Sequence, residues 1–426
     1  MKYLFVHQNF PGQYLHIIRH LIARPGNEIA FISEPNKNNI PGVRRVNYTI
    51  SDANREAGHP TLRDLNLAMQ RAEAVGRMGR NLKDLGFTPD IIVGHHGWGE
   101  LLNLVDVFPG VPILGYFEFY YATAGTDVGF DAEFPTAADQ FPRIRAMNGV
   151  NLLALALDQH GQTPTHWQRS LYPDWAQQRI HLLPEGVPLD VCKPDPAVRK
   201  TPLTIGNFTI EPKDRLITYV ARNLEPYRGF HVMMRALPEI LRTRPDAKVV
   251  MLGGNEVSYG ARIANTTWRA HFERELAGQY DTSRVLMPGQ VPYDVHVGLL
   301  KRSDVHVYLT YPFVLSWSLR EAMACGCTII GADVDPVREF ITEGQTGLLT
   351  PCLDPKRLAE RVLHVLDDRK LAAGLSRRAR AFAEANLDMD RYIANYEALI
   401  TDIAGRPAIE PLPAKPKPRP RKPKPA

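Results

Sequence analysis

The chain has 426 residues, 44% hydrophobic and 23% charged, an ordinary globular composition with room for two or three domains. No window reaches the roughly 18 uninterrupted apolar residues that span a bilayer, and the opening MKYLFVHQNFPGQ lacks the apolar h-region and cleavage site of a secretory signal, so a cytoplasmic protein is expected. The net charge of +5 is concentrated in residues 411–426, which hold six Lys or Arg and no acid, so the first 410 residues carry a net charge of −1 and nucleic acid is not an expected partner.

From Lys2 to about Gly186, short apolar runs alternate with helical stretches: KYLFVH, EIAFIS, IIVGHH, VPILGYF, NLLALAL and RIHLL read as strands. The polar segment 191–214 reads as a linker. A second series follows, LITYVA, AKVVML, RVLMPG, DVHVYLT, CTIIGA and GLLT, each with a helix or turn after it. Phe230, Met233, Met234, Leu237 and Leu241 recur with a period near 3.6, one apolar helix face. Beyond Asp354 the pattern is helical to about Ile403. The expected fold is α/β: an N-terminal Rossmann-like domain (1–190), the linker, a C-terminal Rossmann-like domain (215–385), a helix over 386–404 packing back on the first domain, and a disordered Lys/Arg/Pro-rich tail over 405–426. Cys192, Cys325, Cys327 and Cys352 fit neither a disulfide framework nor a zinc site and read as buried packing residues.

Ligands of parallel sheets bind at the C-terminal ends of strands, so those loops carry the chemistry. Gly12 opens the first helix, either as a close-approach glycine or a plain turn residue. His95 and His96 end a strand and face opposite ways, so at most one points into a cleft. After LITYVA come Arg222 and Arg228. They are either a diphosphate clamp or an Arg222–Glu225 ion pair beside a solvated Arg228. In PFVLSWSLREAMACG, Ser318 and Glu321 have the spacing of a capping box, while the same helix start could hold an anion. Asp333-Val334-Asp335 looks like a metal-binding Asp-x-Asp, but Asp335 at an N-cap before Pro336 accounts for it. No metal is assigned.

RNLEPYRGF, MLGG, PGQVPYDV and SWSLREAMACGCTIIGADVDPVREFI closing on EGQTGLL resemble, in order and spacing, the nucleotide-sugar half of glycosyltransferase family 4, the retaining enzymes of GT-B fold. VHQNFPGQ, HHGWGE and GYFEFYY resemble the N-terminal half of a bacterial subgroup. The resemblance covers about 400 residues and implies two Rossmann-like domains facing a cleft. It implies Arg222 and Arg228 on the donor diphosphate, with Gly12 and the backbone near Ser316, Trp317 and Ser318. Glu321 is then the ribose-binding carboxylate, and Gln290 and Val291 meet the nucleobase. The sequence departs from the pattern at Phe313, where the family places a glutamate near the donor sugar. Glu118 stands where many members have a histidine and could supply that carboxylate from across the cleft, so Glu118, His95 and Arg228 form the expected catalytic set. The implied activity is hexosyl transfer from a nucleoside diphosphate sugar to a glycan or lipid-linked acceptor, in polysaccharide or glycoconjugate biosynthesis, without a metal or other cofactor. An epimerase or phosphorylase of the same fold, or a non-catalytic nucleotide- or glycan-binding protein, is the alternative. The basic tail is expected to touch anionic lipid at the inner membrane face.

Overall fold

A computed structural model describes residues 1–51 and 58–405; the expected tail lies outside the described residues. Two parallel sheets organise the chain. The first has seven strands, β1 (Lys2–Val6), β2 (Glu28–Ser33), β3 (Val43–Asn47), β4 (Ile91–His95), β5 (Ile113–Tyr116), β6 (His160–Thr163) and β7 (Ile180–Leu182), in the order β3-β2-β1-β4-β5-β6-β7. After an antiparallel hairpin of β8 (Leu203–Ile205) and β9 (Phe208–Ile210), the second sheet contains β10 (Arg215–Asn223), β11 (Ala247–Gly254), β12 (Val285–Gly289), β13 (Val305–Tyr308), β14 (Ile329–Ala332) and β15 (Leu348–Thr350), ordered β12-β11-β10-β13-β14-β15. Strand order reverses between β1 and β4 in one sheet and between β10 and β13 in the other. Such switch points open crevices at the strands' C-terminal ends. The loops after β1, β4, β5, β10 and β13 therefore border the cleft of a two-domain GT-B fold.

All six strands expected in the second half form. In the first half NLLALAL is instead the helix Gly149–Ala156, with Val150, Asn151, Ala154 and Leu155 buried. The correction has a simple cause: Leu and Ala favour helix, and only one residue of the helix is β-branched. Two strands gave little signal, the edge strand VRRVN of β3 and the polar but mostly buried HGQT of β6. Within the segment read as a linker, Phe208 and Ile210 of the hairpin pack with Leu216, Val250, Leu252 and Leu299, joining the hairpin to the second domain. The face of helix Phe230–Thr243 is buried as its periodicity requires, and all four cysteines are buried free thiols.

Among the described residues, the chain passes between the domains twice. The helix Met389–Gly405 returns to the first domain, where Tyr392, Tyr396, Ile400 and Ile403 join Tyr14, Ile17, Ile18 and Leu21 in one core. At the crossing, Val187 N donates to Leu387 O (2.8 Å), and Val187 and Asp388 form a parallel bridge. A Cβ on Gly186 would lie 2.6 Å from Met389 Cα, so the close approach of the two crossings requires glycine there.

The domains also meet through the segment after β5. Asp127 Oδ2 accepts from Tyr227 Oη and Asp131 Oδ2 from Tyr311 Oη, both at 2.6 Å; His231 Nε2 lies 3.2 Å from Asp131, and Arg235 grips Glu133 with two 2.6 Å bonds. Glu185, before the first crossing, takes Arg320 and the indole N–H of Trp317 (2.9 Å) from the second domain.

Candidate active site

Strand β10 ends at Asn223, and the 3-10 turn Pro226–Arg228 leads through Gly229 (φ 69°) into helix Phe230–Thr243. This geometry turns Arg228 inward. Its guanidinium is buried and donates from Nη1 to Thr310 Oγ1 (2.8 Å) and the carbonyl of Val314 (2.9 Å), over the rings of Tyr259 and Phe313 at 4.9 and 5.7 Å. Val314 stands two residues before Ser316, the N-cap of helix Trp317–Ala324. One buried cation is thus tied to the segment that presents a helix N-terminus. Arg222 is exposed at the end of β10. The Arg222–Glu225 ion pair is not formed: Glu225 is fully buried and accepts from the N–H groups of Ser258 (2.9 Å), Tyr259 (3.4 Å) and Gly260 (3.0 Å).

The capping box at Ser318 and Glu321 is also absent. Ser316 caps instead, its Oγ accepting from Ser318 N (3.3 Å), while Ser316 N donates to Tyr308 Oη (2.7 Å). Ser318 therefore lies inside the first turn. Its partner Glu321 turns its carboxylate away from the helix start, accepting from Tyr293 Oη at Oε1 and facing His296 Nε2 at Oε2, each at 2.9 Å. Trp317 is half-exposed, with its indole directed to Glu185. Gly289 (φ 82°) ends β12, leaving Gln290 exposed and Val291 partly buried against the second domain.

From the first domain, β4 delivers His95 and the loop after β5 delivers Glu118. His95 Nε2 lies 3.3 Å from Glu118 Oε2, and the imidazole sits among His7, Trp98 and Tyr116. Burial opposes ionisation of Glu118, but the hydrogen bond from His95 and the charge of Arg228 outweigh it and hold the carboxyl below its usual range. Burial and the neighbouring His95 push His7 down to about 3. His96 points the other way, with Nε2 on the carbonyl of Val150 (2.8 Å) and its ring stacked on Phe117. Gly12 (φ 57°) packs so tightly on His7 that a Cβ would lie 2.8 Å from the ring.

Phe313 packs on Phe119, Tyr227 and Tyr259 with centroids 4.6 to 5.1 Å apart, an aromatic wall spanning both domains beside Arg228. Asp335 does not cap its helix. The N-cap is Val334, and Arg338 bonds both Asp333 (2.8 Å) and Asp335 (3.0 Å). Tyr293, His296, Tyr259 and the acidic segment after β5 escaped the sequence reading. For the first two the available signal was their i, i+3 spacing, which places both on one helix face.

Two family models match: "Glycosyl transferase family 4 group" over residues 25–192 and "Glycosyl transferases group 1" over residues 204–382. Phosphatidyl-myo-inositol mannosyltransferase of Mycolicibacterium smegmatis is 28% identical over 170 residues, 39% of this chain and 39% of that one. N-acetyl-alpha-D-glucosaminyl L-malate synthase of Bacillus anthracis is 26% identical over 197 residues, 46% of this chain and 48% of that one. The chain thus spans less than half the length of these curated relatives. Sucrose-phosphate synthase from Thermosynechococcus elongatus superposes with a TM-score of 0.74 at 17% identity, covering 95% of this chain and 99% of that one, a likeness of fold.

Proposed function

Since the chain belongs to glycosyltransferase family 4, we propose that it transfers a hexose-type sugar, with retention at the anomeric carbon, from a nucleoside diphosphate donor to a glycan or lipid-linked acceptor held by the N-terminal domain. The observation that carries this reading is the bond from Arg228 to Val314, which sets a buried guanidinium beside the start of helix Trp317–Ala324. A buried cation beside the positive end of a helix suits the charge that develops on a departing diphosphate, although Ser316 N and Ser318 N are engaged by Tyr308 and the Ser316 cap. Arg222 completes the clamp from the cleft rim, and Gly12 lets the backbone of the first domain come close from the other side. Glu321 accepts from the ribose hydroxyls, and Gln290 and Val291 meet the base. The Glu118–His95 pair receives the donor sugar's hydroxyls, the polar role that Phe313 cannot fill. The acceptor hydroxyl attacks on the face the phosphate leaves, and the leaving phosphate takes its proton.

No metal is assigned to this chemistry, because Arg338 already bonds both Asp333 and Asp335 and Arg228 supplies positive charge at the site. Among the described residues, no helix is long and apolar enough to cross a membrane. The mannosyltransferase relative is named for a phosphatidylinositol acceptor, which supports a lipid-linked acceptor here and peripheral attachment through the six basic residues of 411–426. Deleting those residues should abolish sedimentation with anionic vesicles and leave turnover of a soluble acceptor intact.

The decisive experiment is a thermal-shift panel of UDP, GDP, ADP and their sugars, followed by assay of the stabilising donor. A ligand at 100 times its Kd stabilises the fold by about 2.7 kcal/mol. No stabilisation by any member, or none lost in Arg228→Ala, would overturn the site. A binding protein that no longer transfers is the second reading, favoured by the packing of Phe313 into the aromatic wall. Donor hydrolysis without acceptor separates the two.

A further inference from the structure

Resting on the reading of Glu321 as the ribose carboxylate, we infer that Tyr293 and His296 are positioning residues that fix that carboxylate before nucleotide arrives, so that recognition of the ribose diol is set by a neighbouring helix. The carboxylate lies on helix Trp317–Ala324, and both partners lie on helix Tyr293–Arg302. Tyr293 Oη donates to Oε1 and His296 Nε2 meets Oε2, each at 2.9 Å. An ionised carboxylate has about four acceptor positions. One bond on each oxygen leaves one position on each oxygen, the complement of two vicinal hydroxyls.

The arrangement is braced from behind. Cys192 Sγ, in the interdomain segment, lies 3.5 Å from Tyr293 Oη, so the thiol can donate to the phenol while the phenol donates to Glu321. Arg380 Nη1 donates to the carbonyls of Cys192 and Ala324, both at 2.7 Å, fastening that segment to the C-terminal end of the helix that bears Glu321. A glutamate side chain held this way has already lost its rotational freedom. Less ordering is left for nucleotide binding to bring about.

The test measures binding of UDP, GDP and ADP, and of their 2′,3′-dideoxy counterparts, by calorimetry to the full chain and to Tyr293→Phe, His296→Ala, His296→Gln and Glu321→Gln. Tyr293 is half-exposed, so its phenylalanine variant should fold and keep its melting temperature. For whichever ribonucleotide binds, Tyr293→Phe and His296→Ala should each weaken affinity about tenfold, the loss of one hydrogen bond to a charged group. Affinity for the dideoxy analogue should not change, and His296→Gln, which keeps a donor, should recover most of the loss. In turnover, donor KM should rise with kcat held. Unchanged ribonucleotide affinity in Tyr293→Phe and His296→Ala, or equal losses for ribo and dideoxy forms, overturns the inference while Glu321→Gln still discriminates between the two. A Glu321→Gln variant that binds both forms as the parent does, or a parent that binds none of the three nucleotides, removes the ribose reading itself.

Discussion

The rings of Phe119 and Phe313 pack 4.6 Å apart, centroid to centroid, although one belongs to the first domain and the other to the second. Phe313 is 7% exposed and also touches Tyr227 and Tyr259. Phe313→Ala should therefore lower stability by about 3 kcal/mol, as loss of a core aromatic does, measured by denaturant unfolding. Because the ring bridges the domains, the variant should also show a larger radius of gyration in solution scattering. An unchanged radius would mean that the aromatic wall does not hold the domains together.

Glu100 is fully buried, and burial pushes its carboxyl up to about 7 despite the bond from Tyr48 and the nearby charge of Arg71. A folded value above the unfolded one means the folded chain holds the proton more tightly. Its contribution is complete below about pH 4.3 and is lost as pH rises through 7. The loss between pH 4 and pH 8 should be on the order of 3 kcal/mol. Glu100→Gln, which keeps an acceptor for Tyr48 and does not titrate, should flatten that slope in unfolding measured across the range.

Arg228→Ala should reduce kcat/KM by the equivalent of about 1.5 to 3 kcal/mol, the range for a hydrogen bond to a charged group. Lysine would restore charge without the planar group that stacks on Tyr259 and Phe313, so Arg228→Lys should fall between the parent and the alanine variant. Steady-state kinetics of the three proteins decide this.

Asp131 is 4% exposed and serves two partners from the other domain, Tyr311 and His231. Asp131→Ala leaves a buried phenol without its acceptor, at about 1 to 3 kcal/mol. Asp131→Asn, which retains an oxygen, should lose less. Thermal unfolding of the pair tests the ordering.

The parallel sheet of the second domain was legible because each of its strands is an apolar run closed by a turn, from LITYVA to GLLT, whereas the short hairpin before it was hidden in a polar segment. The first domain was less so, since β6 is buried yet polar and an apolar run beside it is a helix. For the site, the sequence identified the loops, because strand ends are where parallel sheets bind ligands. It did not identify partners. The Ser318–Glu321 spacing matches a capping box in sequence, but Ser316 takes the cap and a tyrosine and a histidine from another helix hold the glutamate. Asp335 before Pro336 has the composition of an N-cap, yet Arg338, three residues on, claims its carboxylate. Such choices are settled by side chains that meet only after the chain has folded.

The two passages between the domains touch where Gly186 lies against Met389 and Val187 pairs with Asp388. Two adjacent strands of chain behave as a hinge with an axis, whereas a single strand is only a tether. Sliding or twisting of the domains at this crossing would have to break the bridge. A protease cut in the first passage would leave the first domain held to the rest by packing alone, including that on the return helix, where Tyr392, Tyr396, Ile400 and Ile403 meet Tyr14, Ile17, Ile18 and Leu21. The long return helix thus ties the second domain to the first at a point separate from their other contacts.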